Sequence, residues 1–185
     1  SEDDLNVGGF RIVTTFDKNA QAAAVESVKS SGVSDEKGLR IGLTSVKTDT
    51  GEVIAMYGGA DYLKNQLSNA DQAVGLAGST FKPFALAAAF EDGIDLSSTW
   101  DGSSPRTIRG YKLKNEGNVS YGNISLLTAT EKSVNTVFVD MAGKVGVDKV
   151  KDSAIRAGVP ANTVGLVADP TTVLGTASPT TMDMA

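Results

Sequence analysis

Pro83 constrains this chain's architecture more than any other single residue. It has no backbone N–H, and its ring clashes with the preceding turn of a helix interior, so a helix that contains it must hold it in the first turn. The residues that follow, Phe84-Ala85-Leu86-Ala87-Ala88-Ala89-Phe90, form an alanine-rich run suited to a helix. A helix is therefore predicted to start near Ser79 or Thr80 and to end by Gly93. Ser79 then stands at its N-terminal end, among free N–H groups and at the positive end of the macrodipole. Lys82, three residues on, returns to the face that carries the Ser79 hydroxyl.

What such a pair can do depends on what else the chain has. Among 185 residues there is no histidine and no cysteine. A Ser-His-Asp triad, a Cys-His pair, a His- or Cys-bound zinc and an Fe–S cluster on Cys are all excluded within the chain. No disulfide can form, and no cofactor or metal is expected. Any proton shuttle must be Lys, Asp, Glu or Tyr. Phe81 and Phe84 flank Lys82 and are expected to desolvate its ammonium; the helix dipole adds to that effect. Both favour the neutral amine, the form that accepts a serine proton. Ser79 and Lys82 thus fit a Ser-Lys nucleophile. They also fit an ordinary helix N-cap with its lysine in water, and spacing alone leaves both readings open. Ser-x-x-Lys occurs a second time, at Ser34-Asp35-Glu36-Lys37, in a charged stretch where nothing would activate it.

Ser133-Val134-Asn135 lies 51 residues past Lys82, between two predicted helices, and is the chain's only Ser-x-Asn. A hydroxyl and an amide side by side can relay a proton and hold a substrate amide, although each is also common as a capping group.

The rest of the chain reads as one domain of 10–185 behind a polar 1–9 linker. A net charge of −5 with scattered basic residues argues against nucleic-acid binding. No apolar run approaches the ~18–20 residues of a membrane span, and the acidic start has no signal-peptide pattern. Strands are predicted at Phe10–Phe16, Leu39–Val46 and Glu52–Tyr57, the last two joined as a hairpin through Lys47–Gly51. Asp17 is predicted to cap a helix that stops by Gly32. Further helices are expected at 124–132, 136–144 and 148–157, with 94–123 mostly irregular. Trp100 is expected to pack rather than to bind substrate. Gly75-Leu76-Ala77-Gly78-Ser79-Thr80 lacks the lysine of a P-loop.

Ser-x-x-Lys followed by Ser-x-Asn is two-thirds of the motif set of penicillin-binding proteins and class A β-lactamases. Gly78-Ser79-Thr80-Phe81-Lys82-Pro83-Phe84 resembles the active-serine segment of class A, bifunctional penicillin-binding proteins. Gly9–Asp17 is similar to the entry of their transpeptidase domain, and Glu52–Gly59 to the strand before the active serine. Val145-Gly146-Val147 and Leu174-Gly175-Thr176 through Ala185 are similar to later segments, so the resemblance runs from about Gly8 to Ala185. It implies an α/β (α+β) penicillin-binding-protein/serine β-lactamase-like transpeptidase fold, with an antiparallel sheet and flanking helices. It also implies a peptidoglycan D,D-transpeptidase at the extracytoplasmic face of the bacterial membrane, with stem peptides as substrates and β-lactam antibiotics as covalent inhibitors. By that resemblance Ser79 attacks the D-Ala-D-Ala carbonyl and Lys82 takes its proton. Ser133 passes a proton to the leaving amine, Asn135 holds the substrate amide, and the Ser79 N–H serves as an oxyanion donor.

The family's third motif, Lys-Thr/Ser-Gly, is absent; Lys47-Thr48-Asp49 precedes the nucleophile and lacks the glycine. The chain is therefore expected to be the front portion of the domain, ending in the first turn of a helix before the sheet is complete. A second polypeptide is expected to supply the remaining strands. Two rival readings share the same residues. A serine β-lactamase would need a deacylating base, and a non-catalytic cell-wall interaction module would keep the scaffold without reacting.

Overall fold

The computed structural model describes residues 8–33 and 38–185. The Ser34–Lys37 copy of the motif and most of the expected 1–9 linker lie outside the described residues. The chain divides into two compact units, one running up to Ala73 and the other covering Val74–Met184.

In the first unit, helix α1 (Lys18–Ser30) begins where Asp17 accepts a hydrogen bond from the Ala20 N–H, an N-cap that satisfies one orphan donor. Strands β1 (Leu43–Val46) and β2 (Val53–Tyr57) form the expected antiparallel hairpin, with Leu43 opposite Tyr57 and a bulge between Ser45 and Val46. Residues 39–42 stay outside β1. The strand expected at Phe10–Phe16 does not form, and Ile12 and Val13 are 75% and 80% exposed. The outer edge of β2 is met piecemeal instead. Thr15 Oγ1 donates to the Val53 carbonyl at 2.6 Å, and the Asp17 N–H donates to the Ile54 carbonyl at 2.9 Å. The Gln21 carboxamide then donates to the Met56 carbonyl and accepts from the Met56 N–H, both at 2.8 Å. A side chain that mimics a peptide group replaces the ladder that β-branched residues alone had suggested.

In the second unit helices outweigh strands. A 3-10 turn (Gly78–Phe81) runs directly into α2 (Lys82–Glu91), with Pro83 in the first helical turn as its chemistry requires. Short strands β3 (Thr99–Asp101), β4 (Arg106–Ile108), β5 (Tyr111–Leu113) and β6 (Asn123–Ser125) make two antiparallel pairs, β3 with β6 and β4 with β5. They lie in and just beyond the stretch expected to be irregular, because each strand is only three residues long and flanked by turn formers. Helices α3 (Leu126–Glu131), α4 (Asn135–Val145) and α5 (Val147–Arg156) follow, close to their expected bounds. The strands β1 to β6 thus form three two-stranded antiparallel pieces.

Helix α4 is the centre of this unit. Val137, Phe138, Val139, Met141 and Ala142 are all buried, so the helix is apolar nearly all round, as a core helix must be. The alanines of α2 (Ala85, Ala88 and Ala89) are fully buried against it, their small side chains allowing the two backbones to approach. Trp100 is buried in the same core and its indole N–H donates to Ser98 Oγ, which is the packing role expected of it. No helix among the described residues is long and apolar enough to cross a membrane.

Candidate active site

The turn that presents Ser79 is fixed by an irregular backbone pairing. Residues 74–78 run against 175–180: Val74 bridges Thr180, the Gly75 N–H donates to the Pro179 carbonyl, and the Ala77 N–H donates to the Ala177 carbonyl. The Gly78 N–H completes the set on the Gly175 carbonyl at 3.1 Å. Ser79 itself is exposed, while Lys82, one turn on, is only 3% exposed. The 3-10 turn and the helix after it bring both side chains to one face, and Lys82 Nζ lies 3.0 Å from Ser79 Oγ.

The other two predicted residues meet the same nitrogen. Ser133 follows the end of α3 in a left-handed conformation with φ of 51°, which costs a non-glycine residue of order 1 kcal/mol. Its N–H donates to the Thr130 carbonyl, and the next N–H, of Val134, donates to the Ala129 carbonyl. This turn aims both oxygens of Ser133 at Lys82, the carbonyl at 2.7 Å and the hydroxyl at 2.8 Å from Nζ. Asn135, the first residue of α4, places its Oδ1 2.7 Å from Nζ. Ser79, Ser133 and Asn135 therefore converge on the amine of Lys82, the fourth residue singled out in the sequence.

The Ser133 carbonyl and Asn135 Oδ1 can only accept, so in either protonation state they take two N–H bonds of Lys82. On a neutral amine this leaves the lone pair, and on an ammonium the third proton, for Ser79 Oγ and Ser133 Oγ. The amine is thus held with its reactive position turned towards two hydroxyls. Burial pushes the Lys82 pKa down from its ordinary 10.5 to about 8, since desolvation penalises the charged form. Among the described residues no carboxylate pairs with it to offset that penalty.

The aromatic environment differs from the expected one. Phe81 is fully buried in a separate cluster with Ala154, Val159, Leu166 and Ala177, and Phe84 packs edge-on against it at 4.9 Å between ring centroids. Neither covers the amine as predicted, because the 3-10 turn points Phe81 to the other side of the helix. The ring over Lys82 is Phe138, with its centroid 5.4 Å from Nζ. Phe138 sits one turn beyond Asn135 on α4, and that i, i+3 spacing was the available sequence signal.

The Asn135 carboxamide is engaged at both ends, since Nδ2 donates to the Lys114 carbonyl at 3.1 Å. Only one amide proton and one lone pair stay available for the substrate contact the resemblance implies. The site is built from amine, hydroxyl and amide groups, and among the described residues no cluster of carboxylates is arranged to ligate a metal.

The model of the penicillin binding protein transpeptidase domain matches residues 42–170. Penicillin-binding protein 1A of Mycolicibacterium smegmatis is 35% identical over 162 residues, covering 86% of this chain and 20% of that protein. The Mycobacterium tuberculosis penicillin-binding protein 1A is also 35% identical, over 89% of this chain and again 20% of the relative. This chain therefore spans about a fifth of the length of these curated relatives. Among solved structures, PonA1 from Mycobacterium tuberculosis in complex with penicillin V superposes with a TM-score of 0.87 at 31% identity, covering 99% of this chain and 51% of that one. The D,D-transpeptidase domain of a peptidoglycan glycosyltransferase from Eggerthella lenta shares the fold, with a TM-score of 0.72 at 22% identity.

Proposed function

This chain belongs to the penicillin-binding protein transpeptidase family, and from that premise we propose that Ser79 is the nucleophile of a D,D-transpeptidase that cross-links peptidoglycan stem peptides. The observation that carries the reading is the convergence of Ser79 Oγ, Ser133 Oγ and Asn135 Oδ1 on the buried amine of Lys82.

In this mechanism the neutral Lys82 amine takes the Ser79 proton as Oγ attacks the carbonyl carbon of the penultimate D-alanine. The developing oxyanion is met by the Ser79 N–H at the start of its helix. Collapse breaks the C–N bond, and the Lys82 proton passes through the Ser133 hydroxyl to the departing D-alanine nitrogen. An acyl ester on Ser79 remains. An amine from a second stem peptide attacks that ester, loses its proton to Lys82, and returns Ser79 to its hydroxyl form. A β-lactam follows the first half of this path: its ring C–N bond opens but the nitrogen stays tethered, so the ester persists. The penicillin V complex of PonA1 supports the β-lactam part of the reading. In this reading the Lys-Thr/Ser-Gly strand, with a second oxyanion donor and the contact to the substrate carboxylate, comes from residues outside these 185, on the same or a second polypeptide. The site works on the extracytoplasmic side of the bacterial membrane, where peptidoglycan lies.

The test is an intact mass spectrum of the full-length protein with and without benzylpenicillin, beside Ser79→Ala. One penicilloyl adduct on the wild type and none on the variant is the expected result. A folded wild type without an adduct, or an adduct on the variant, overturns the assignment. Rapid loss of the adduct with accumulating hydrolysed penicillin would identify a β-lactamase instead.

A further inference from the structure

Asn115 has no part in the reaction above, yet it is a buried polar side chain with every hydrogen-bonding position filled. It is 4% exposed. Its Oδ1 accepts from the Thr136 N–H at 3.0 Å and from Thr136 Oγ1 at 3.2 Å. Its Nδ2 donates to the Gly102 carbonyl at 2.9 Å and to the Val119 carbonyl at 3.0 Å. The residue before α4, Val134, gives that helix no side-chain cap, so Asn115 caps it from 21 residues away. A residue joined in this way to two loops and a helix start is fixed in place, and its backbone is fixed with it.

That backbone leads to the site. The Asn115 N–H donates to Ser104 Oγ at 3.0 Å. The carbonyl of the same peptide group belongs to Lys114, and it accepts from Asn135 Nδ2. In a planar trans peptide the N–H and C=O point in opposite directions. Anchoring the N–H on Ser104 therefore aims the C=O at Asn135. A carboxamide held by its NH2 end has only one orientation left, with Oδ1 towards Lys82. Without that anchor the amide is free to turn over, since its two ends have nearly the same shape, and a turned amide would set N–H groups against the amine.

We infer that Asn115 and Ser104 are positioning residues for Lys82, acting through the Lys114–Asn115 peptide and the Asn135 carboxamide. The inference rests on the reading of Lys82 as the general base. The groups that face the amine are Ser79 from the 3-10 turn, Ser133 from the turn after α3, and Asn135 and Phe138 from α4. Among the described residues no charged side chain pairs with it. An amide oxygen 2.7 Å from the amine, as Asn135 Oδ1 is, favours the protonated form, so losing it lowers the Lys82 pKa.

Asn115→Ala would strip four hydrogen bonds from a buried site and threatens the fold, so the discriminating variant is Ser104→Ala, which removes one half-buried hydroxyl. In the full-length protein the Lys82 pKa is read directly by NMR titration of 13C-labelled lysine, and benzylpenicillin acylation is followed against pH. Ser104→Ala is expected to lower the Lys82 pKa by about one unit, the worth of one hydrogen bond to a charged group. The acid limb of acylation moves down in pH with it, and the plateau rate falls about tenfold as the lone pair loses its aim. Ser104→Thr, which keeps the hydroxyl, restores both. A merely structural role would reduce the folded fraction and leave the pKa where it was. An unchanged or raised Lys82 pKa in folded Ser104→Ala overturns the inference. If the pKa falls while even the wild type forms no adduct, the positioning network stands and the transpeptidase reading fails.

Discussion

Gly175 stands so close to Gly78 that a Cβ at position 175 would lie 2.0 Å from the Gly78 nitrogen and 2.1 Å from its carbonyl oxygen. Both glycines have positive φ, 77° and 58°, and the Gly78 N–H donates to the Gly175 carbonyl. The backbone before the nucleophile is therefore seated directly on the backbone of a distant loop, and no side chain fits between them. Gly175→Ala is expected to cost roughly 2–4 kcal/mol, combining overpacking with the left-handed conformation. It should also displace the Gly78–Phe81 turn, so acylation of Ser79 slows by more than the loss of folded protein explains. Thermal melting beside penicillin acylation of the folded fraction checks both parts. A stable variant that acylates at the wild-type rate would show that the contact relaxes without consequence.

The pH dependence of acylation follows from Lys82. Its pKa is lowered from 10.5 to about 8, so the amine is protonated below that value and neutral above it. At pH 7 about a tenth of the molecules carry the neutral base, roughly 300-fold more than with an unshifted lysine. Acylation by benzylpenicillin should therefore rise about tenfold from pH 6 to pH 7 and level off above pH 8–9. Stopped-flow or quench measurements across that range provide the check, and a flat profile would remove Lys82 from the role of general base.

Ser133 separates conformational cost from chemistry. Its φ of 51° is easy for glycine and unfavourable for alanine. Ser133→Gly is expected to be more stable than Ser133→Ala by about 1 kcal/mol. Both lack the hydroxyl that stands 2.8 Å from Lys82 Nζ, so both should lose about 10²-fold or more in acylation despite their different stabilities. Equal stabilities would mean that the turn relaxes out of the left-handed region. Retained activity in either variant would exclude the hydroxyl from proton transfer.

The sequence made the site's members legible but not its supports. Ser79 and Lys82 could be paired because Pro83 locates a helix start and three residues make most of a turn. Ser133 and Asn135 stood out as the only Ser-x-Asn, and the family resemblance tied them to Lys82 across about fifty positions. The supports obey no period. Asn115 reaches Thr136 and Gly175 reaches Gly78 through loops, and their spacings carry no helical or strand signature. Phe138 is marked only by its i+3 spacing from Asn135, whereas Phe81 and Phe84 stand near Lys82 in sequence and are the rings that local spacing suggests. The same bias towards local signals explains Phe10–Phe16. Its β-branched and aromatic residues suit a strand, yet strand formation depends on a free partner edge, and α1 and its approach already occupy that edge of β2.

Gln21 is the residue that makes this substitution for a strand possible. Its carboxamide exchanges two hydrogen bonds with Met56, one to the carbonyl and one from the N–H, each 2.8 Å and partly buried. This matches what a neighbouring strand residue would offer, but it comes from the first turn of α1. Gln21→Leu keeps the size and the helix propensity while leaving the Met56 N–H and C=O without partners. The expected loss is about 1–3 kcal/mol, since orphaned half-buried backbone groups cost more than the bonds are worth when formed. Gln21→Glu keeps the acceptor for the Met56 N–H but sets a carboxylate oxygen against the Met56 carbonyl above pH 5, so it should be destabilised there and recover as the carboxyl protonates in acid. Unfolding monitored by circular dichroism at pH 4 and pH 7 distinguishes the cases. If Gln21→Leu melts with the wild type, then water or the Thr15–Asp17 segment satisfies the edge of β2, and the peptide-like pairing is not what holds α1 to the hairpin.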